Sequence, residues 1–280
     1  INHPYPFKLI NLGSAINTFN AEYSPSIAVD NEFLLFTRRV QSLDSSEQED
    51  FFGAIKINDT LWRKSFPIEE LNTINNEGAA SISGDGHTLV FTVCESQYGY
   101  GNNRKGYGSC DLFVSYKKNK KWGEIKNLGP LVNTSNWESQ PSVSFDGRSI
   151  YFIRAPKKNQ SKSDIYVTLK DENEKWGKAL KLGPSINSTA SEYCVFIHPD
   201  NQTLYFSSDG RLGMGGADLY QSKRNLENQE WEEAINMGYP INTHNDETSI
   251  MVSPDGILAF VASDRKGGFG KEDLYTFYLP

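Results

Sequence analysis

The sequence predicts an all-β fold: a five-bladed β-propeller of four-stranded antiparallel blades, closed by an N-terminal strand that completes the C-terminal blade. Three observations predict it. One motif recurs five times from end to end, each repeat carries four strand signals, and the strand that the last repeat lacks stands at the start of the chain. Self-similarity at a fixed period marks a repeat architecture, and a ring of sheets removes exposed edges by closing on itself.

The motif places Asn at Asn17, Asn72, Asn133, Asn187 and Asn242, and Glu five residues later at Glu22, Glu77, Glu138, Glu192 and Glu247. A turn Asp follows eight residues after each Glu, at Asp30, Asp85, Asp146, Asp200 and Asp255, and the period is 54 to 61 residues. Within the third repeat the strand signals cover 142–144, 149–154, 164–169 and 176–182. Each run is short, rich in Ile, Val, Tyr, Phe or Thr, and bounded by Gly, Asn, Asp or Lys. Asp-Gly between two such runs signals a hairpin, because Gly accepts positive φ without a Cβ penalty. Every third strand opens on Asp, at Asp50, Asp111, Asp164, Asp218 and Asp273, and a Trp follows 11 to 13 residues later in four repeats. The fifth ends without that Trp strand; residues 7–13 resemble 125–129 and 180–183 and supply it. The expectation is one domain over 1–280, with blades at about 14–69, 70–130, 131–184, 185–239, and 240–280 plus 5–13.

The chain has 38% hydrophobic, 12% aromatic and 22% charged residues, the balance of a globular protein, and no apolar run of membrane-spanning length. Direct membrane insertion of this domain is not expected. A net charge of −7 and a pI near 5.2 argue against nucleic acid, which demands a basic footprint, and favour protein or glycan partners. Cys94 and Cys110 stand at the neck of a Gly/Tyr/Asn loop. A disulfide there closes about 17 residues and contributes roughly 3 kcal/mol in an oxidising compartment; the alternative is two buried thiols. Cys194 reads as a core thiol, and no Cys or His spacing suits zinc, so neither metal nor cofactor is expected.

The runs Leu182-Gly183-Pro184-Ser185-Ile186-Asn187-Ser188, Leu204-Tyr205-Phe206-Ser207-Ser208-Asp209, Gly267-Gly268-Phe269-Gly270 and Asp273-Leu274-Tyr275 resemble the TolB-like (WD40-like) propeller repeat of OmpA-family envelope proteins. The resemblance covers the whole chain and extends to the PorE-type components of the type IX secretion machinery. It implies a periplasmic, outer-membrane-associated lipoprotein, with peptidoglycan tethering elsewhere. It also implies a monomeric propeller that scaffolds other envelope and secretion components. The first repeat departs from the pattern, with Arg38-Arg39 in place of Ser-Asp and an acidic stretch over 44–50.

In such a propeller the Asn and Glu motif and the Gly-rich loops share one face, around the mouth of the central channel. A residue present in every blade is more simply structural: Glu accepting backbone N–H bonds and Asn-Ser/Thr forming turns, rather than a cation-binding ring. Function is expected where repeats differ. The candidates for a protein or peptide partner are Tyr98, Tyr100, Arg104, Lys105 and Tyr107 in the longest loop, then Arg211, Met214, Arg265, Lys266 and Phe269, then Trp137 with Tyr23 and Tyr193. Tyr and Arg are enriched at interface hot spots. His3, His87, His198 and His244 occupy different registers with no nucleophile or metal motif beside them. The expectation is therefore a non-enzymatic protein-binding scaffold; a propeller hydrolase or lyase for glycans or lactones, and a structural spacer, are the alternatives.

Overall fold

The computed structural model describes residues 8–27, 32–41, 47–97, 99–119, 121–159 and 162–279, and among them all regular secondary structure is β-strand. Tyr98, Asp30 and part of the acidic stretch 44–50 lie outside the described residues.

Each repeat begins with an inner strand: Glu22–Ile27, Glu77–Ile82, Trp137–Val143, Glu192–Ile197 and Glu247–Val252. A second strand pairs antiparallel with it, for example Thr203–Ser208 with Glu192–Ile197, and a third pairs with the second, as Asp218–Lys223 does here. The second strands are covered on both faces, so they read as continuous apolar runs rather than alternating ones. Every residue of Thr203–Ser208 and of Leu258–Ser263 is buried. Phe36, Phe91, Phe152 and Phe206 stand at one register of these strands, six residues after each turn Asp, and are fully buried. Burial of each such ring contributes roughly 1.5–3 kcal/mol.

The fourth strands are shorter than the sequence suggests. In the third repeat the run 176–182 is reduced to Leu180–Lys181 after an isolated bridge from Trp176 to Lys170. Gly177 N bonds Leu169 O there, which displaces the chain from the ladder. The last repeat takes its fourth strand from Ile10–Asn11, with Ile10 opposite Thr276 and Asn11 opposite Tyr275.

Apolar clusters fill the spaces between successive repeats. Phe51, Phe91 and Phe113 join the first and second, Tyr151, Phe206 and Tyr220 the third and fourth, and Phe36, Trp62 and Phe260 the first and fifth. The inner strands pack on one another in the same order, and Glu22–Ile27 packs on Glu247–Val252. The repeated Asn clamps each third strand to the next repeat. Asn17 Nδ2 donates to Leu274 O at 2.9 Å and its Oδ1 accepts from Leu274 N at 2.9 Å, and Asn72, Asn133, Asn187 and Asn242 do the same to Phe51, Leu112, Ile165 and Leu219. A single amide thus substitutes for a residue of ladder between repeats.

Candidate active site at the channel mouth

The five repeated carboxylates lie inside the protein, each fully buried. Thr18 donates to Glu22 through both N (2.9 Å) and Oγ1 (2.6 Å), and Thr73, Thr134 and Thr243 repeat the arrangement on Glu77, Glu138 and Glu247. Four of them also pair with an arginine: Arg38 with Glu22, Arg104 with Glu77, Arg154 with Glu138 and Arg265 with Glu247. Two of these cations come from second strands and two from loops. The repeat therefore fixes where the carboxylate is and leaves its countercharge to local solutions.

Several residues expected to meet a partner are engaged in this internal work. Arg104 is the countercharge of Glu77, with its side chain 5% exposed, and Arg265 that of Glu247. Tyr100 is buried and donates to Gly108 O at 2.6 Å. Arg211 follows an extra Gly210, misses Glu192, and instead bonds Ser185 O and pairs with Glu233. Trp137 is half-buried against the third and fourth repeats. Lys105, Tyr107, Met214, Lys266 and Phe269 are exposed; Met214, Arg265 and Lys266 share a surface cleft with His244. Cys94 and Cys110 are joined as a disulfide at the neck of the 95–109 loop, and Cys194 is buried and free.

At the residue after each repeated Glu the repeats differ. Tyr23, Gly78, Ser139, Tyr193 and Thr248 occupy that register. Three of them hold a carboxylate outside the Asn–Glu motif. Tyr23 Oη donates to Glu49 Oε1 at 2.5 Å, Tyr193 Oη donates to Asp209 Oδ2 at 2.7 Å, and Thr248 Oγ1 donates to Glu272. Glu49 leans over Gly78, where a Cβ would stand 2.8 Å from its Oε2. Below them Ser24 Oγ donates to Gln140 Oε1 at 3.0 Å between the first and third repeats. Ser24 and Gln140 both hold left-handed backbone, φ 49° and 53°, at irregularities of their strands. Ala79 holds the same conformation, φ 49°, at the same register of the second repeat, so the irregularity belongs to the repeat.

The elements that carry these groups explain their position. In the first repeat Phe33–Gln41 and Glu47–Asn58 run 9 and 12 residues, longer than their counterparts, and pair Arg39 with Glu49, Val40 with Gln48 and Gln41 with Glu47. The extension raises an acidic hairpin with Arg39 among its carboxylates, 3.6 Å from Glu47 and 3.7 Å from Glu49. Glu272 stands beside it, because its backbone bridges Ala21 and Ala21 O accepts Arg39 N at 2.9 Å. Lys271 reaches Glu47 across the same seam.

Electrostatics mark one carboxyl and two phenols of this set. Burial raises Glu272 above the ordinary carboxylate range, the Asp264 and Asp246 charges add to the rise, and Thr248 and Arg39 oppose it. Tyr193 is pushed up to about 12 by burial and then by Asp209. Burial, reinforced by Glu49, holds the Tyr23 phenol well above its usual value. The phenols therefore act as donors to their carboxylates throughout the physiological range. A carboxyl with a raised pKa is suited to giving a proton in acid–base catalysis.

No protein-family model matches the chain, and no curated protein matches it. Solved structures do. TolB from Acinetobacter baumannii superposes with a TM-score of 0.54 at 13% identity, over 97% of this chain and 62% of that one, so the present chain spans less than two thirds of its length. The fold is that of a TolB-like β-propeller. A thermostable family-43 glycoside hydrolase superposes with a TM-score of 0.58 at 14% identity, over 97% of this chain and 93% of that one. An exo-beta-1,3-galactanase from Clostridium thermocellum does so with 0.57 at 14% identity, over 97% and 63%. Identities of this size speak to fold.

The expectation of a non-enzymatic scaffold is corrected by these findings. Glycoside hydrolases share this propeller fold. Outside the repeated Asn–Glu motif, Glu49, Asp209 and Glu272 are each held by a hydroxyl of the residue that follows a repeated Glu. Glu49 left a trace in the sequence, as part of the acidic departure of the first repeat. Glu272 left none, since it precedes the repeated Asp273 and gains its surroundings from Ala21 and Thr248, far away in the chain.

Proposed function

We propose that the chain is a single five-bladed β-propeller domain that hydrolyses glycans at its channel mouth, with Glu272 as proton donor and Glu49 as its carboxylate partner. The observation that carries this reading is the set of three hydroxyl–carboxylate pairs on one mouth, of which Glu272 is raised by burial. Glycoside hydrolysis needs two such carboxyl groups in different protonation states. Glu272 gives its proton to the glycosidic oxygen, the bond from that oxygen to the anomeric carbon breaks, and the leaving sugar departs as an alcohol. A water adds to the anomeric carbon and gives its proton to Glu49. Tyr193, which is exposed, supplies an aromatic face beside Asp209 on which a sugar ring can stack. The glycoside hydrolase propellers of the same fold support the substrate class.

Blade number and closure rest on the five inner strands packed in sequence, the Asn17 clamp on Leu274 and the Ile10–Asn11 strand on the last repeat. The Cys94–Cys110 disulfide fits the periplasm, where such bonds persist, and an outer-membrane association places the enzyme among envelope polysaccharides.

Release of reducing ends from a panel of neutral, acidic and amino polysaccharides tests the reading. Turnover by the native chain and its loss in Glu272→Gln and Glu49→Gln, with unfolding midpoints preserved, is the expected result. Absence of turnover on every member, or turnover that survives both substitutions, contradicts it.

A further inference from the structure

An apolar cavity of about 400 Å³ lies between the first and second repeats, away from the mouth, under the Asp85–Gly86–His87 hairpin. Phe33, Leu35, Ile68, Leu71, Ile82 and Trp122 line it. One side chain of its wall is smaller than its counterparts in two other joints. In two other joints the Trp of a repeat packs edge-on against a ring five residues after the preceding turn Asp: Trp62 on Phe260 and Trp231 on Tyr151, each at 6.1 Å between centroids. The position that faces Trp122 is Leu35, which cannot fill the space of a ring. Where the second repeat presents the small Val90 to Trp176, the Lys170 ammonium lies 5.0 Å from the indole centroid, and Lys117 stands over Trp122 in the same way at 5.2 Å. Trp122, like Trp176 and Trp231, is half-buried, while Trp62 is 2% exposed.

We propose that this cavity binds a small carboxylate with a flat or chain-like apolar body, an aryl or acyl acid, its body against Trp122 and Leu35 and its carboxylate on Lys117. The volume lies in the range of small-molecule sites, which are mostly apolar with few polar groups at the rim. Lys117 makes no ion pair among the described residues, so its ammonium is available to a ligand anion at the opening. The Asp85 carboxylate on the same rim is engaged by Ser83 Oγ at 2.6 Å and His87 N at 2.9 Å, within its own turn. A ligand that fills the gap also supplies the apolar contact on the indole that a ring provides in two other joints, and its binding stabilises the folded protein by mass action.

The probes are decanoate, the neutral decanol, and 8-anilinonaphthalene-1-sulfonate as fluorescent reporter. The expected result is saturable binding of decanoate at one site, displacement of the reporter, a change in tryptophan emission and a rise in Tm. Leu35→Phe fills the cavity, weakens decanoate by about tenfold or more and raises the Tm of the empty protein by about 2–4 °C. Lys117→Gln weakens decanoate while leaving decanol unchanged. Ile82→Phe, on the cavity wall, provides a second filling variant should Leu35→Phe fold poorly. Absence of saturable binding, equal binding to both filling variants and the native chain, or decanol binding as tightly as decanoate overturns the proposal. Glycan cleavage at the opposite mouth is read separately, so either result can fail alone.

Discussion

Tyr23 donates its hydroxyl to Glu49 across 2.5 Å, joining the residue that follows a buried repeat carboxylate to an acid of the extended first-repeat hairpin. The same register in the fourth repeat joins Tyr193 to Asp209, and in the fifth Thr248 to Glu272. The repeat thus builds two rings of carboxylates at different depths. The inner carboxylates recur in each unit and hold the loops; the outer ones are irregular, with Asp209 exposed and Glu49 and Glu272 half-buried.

The inner ring carries stability. Replacing Arg38 by Met leaves Glu22 fully buried without its cation, the case in which a broken ion pair is most costly. The expected loss is about 3–5 kcal/mol, read as a lower urea midpoint. Glu174→Gln, which removes the exposed partner of Arg148, changes the midpoint little.

Asn17→Ala removes both bonds to Leu274, the only Asn clamp that joins the last repeat to the first. The buried amide of Leu274 then lacks a partner and its carbonyl keeps only Leu12 N at 3.1 Å, at a cost of about 1–3 kcal/mol. If the ring closes as proposed, hydrogen exchange in Asp273–Tyr278 and Ile10–Asn11 accelerates more in this variant than in Asn72→Ala. Equal exchange in the two variants contradicts a special role for that seam.

Stability depends on pH through carboxyls that burial raises: Glu77, Glu192, Glu247 and Glu272. Each binds its proton more tightly in the folded than in the unfolded chain. Their contribution is therefore fully present below the ordinary Glu value of about 4.3 and is lost as pH rises through the raised folded values. Glu192 is the clearest probe, because it has no arginine and its Oε2 has no hydrogen-bond partner. Glu192→Gln is expected to flatten the fall in urea midpoint between mildly acidic and neutral pH, and an unchanged slope counts against this cause.

Much of this was legible in the sequence because a repeat multiplies weak signals. A single turn Asp or Asp-led strand says little, but five of each in register predict the hairpins and the third strands, which start on that Asp at Asp164, Asp218 and Asp273 and earlier, at Glu47 and Cys110, in the first two repeats. The match between residues 7–13 and the later fourth strands found the Ile10–Asn11 pairing in the same way. The site was not legible for the converse reason. Glu272 depends on Thr248 and on Ala21, whose proximity follows from the packing of the last repeat on the first. Asp209 sits inside the repeated Ser-Ser-Asp run, and only Tyr193 above it distinguishes this copy. Arginines such as Arg104 and Arg265 stood out in their loops as contact residues, yet they close internal ion pairs, which loop position alone does not reveal.

The central claim is that Glu272 gives a proton to a departing sugar, and a leaving-group series tests it most directly. Glu272→Ala is assayed on aryl glycosides, of the sugar that the polysaccharide panel identifies, with leaving groups from unactivated phenols to dinitrophenol. Loss of about 10²–10⁴-fold in kcat/KM on poor leaving groups, with near-native rates on dinitrophenyl glycosides that need no proton, is the predicted result. A uniform loss across the series, or none, contradicts the assignment.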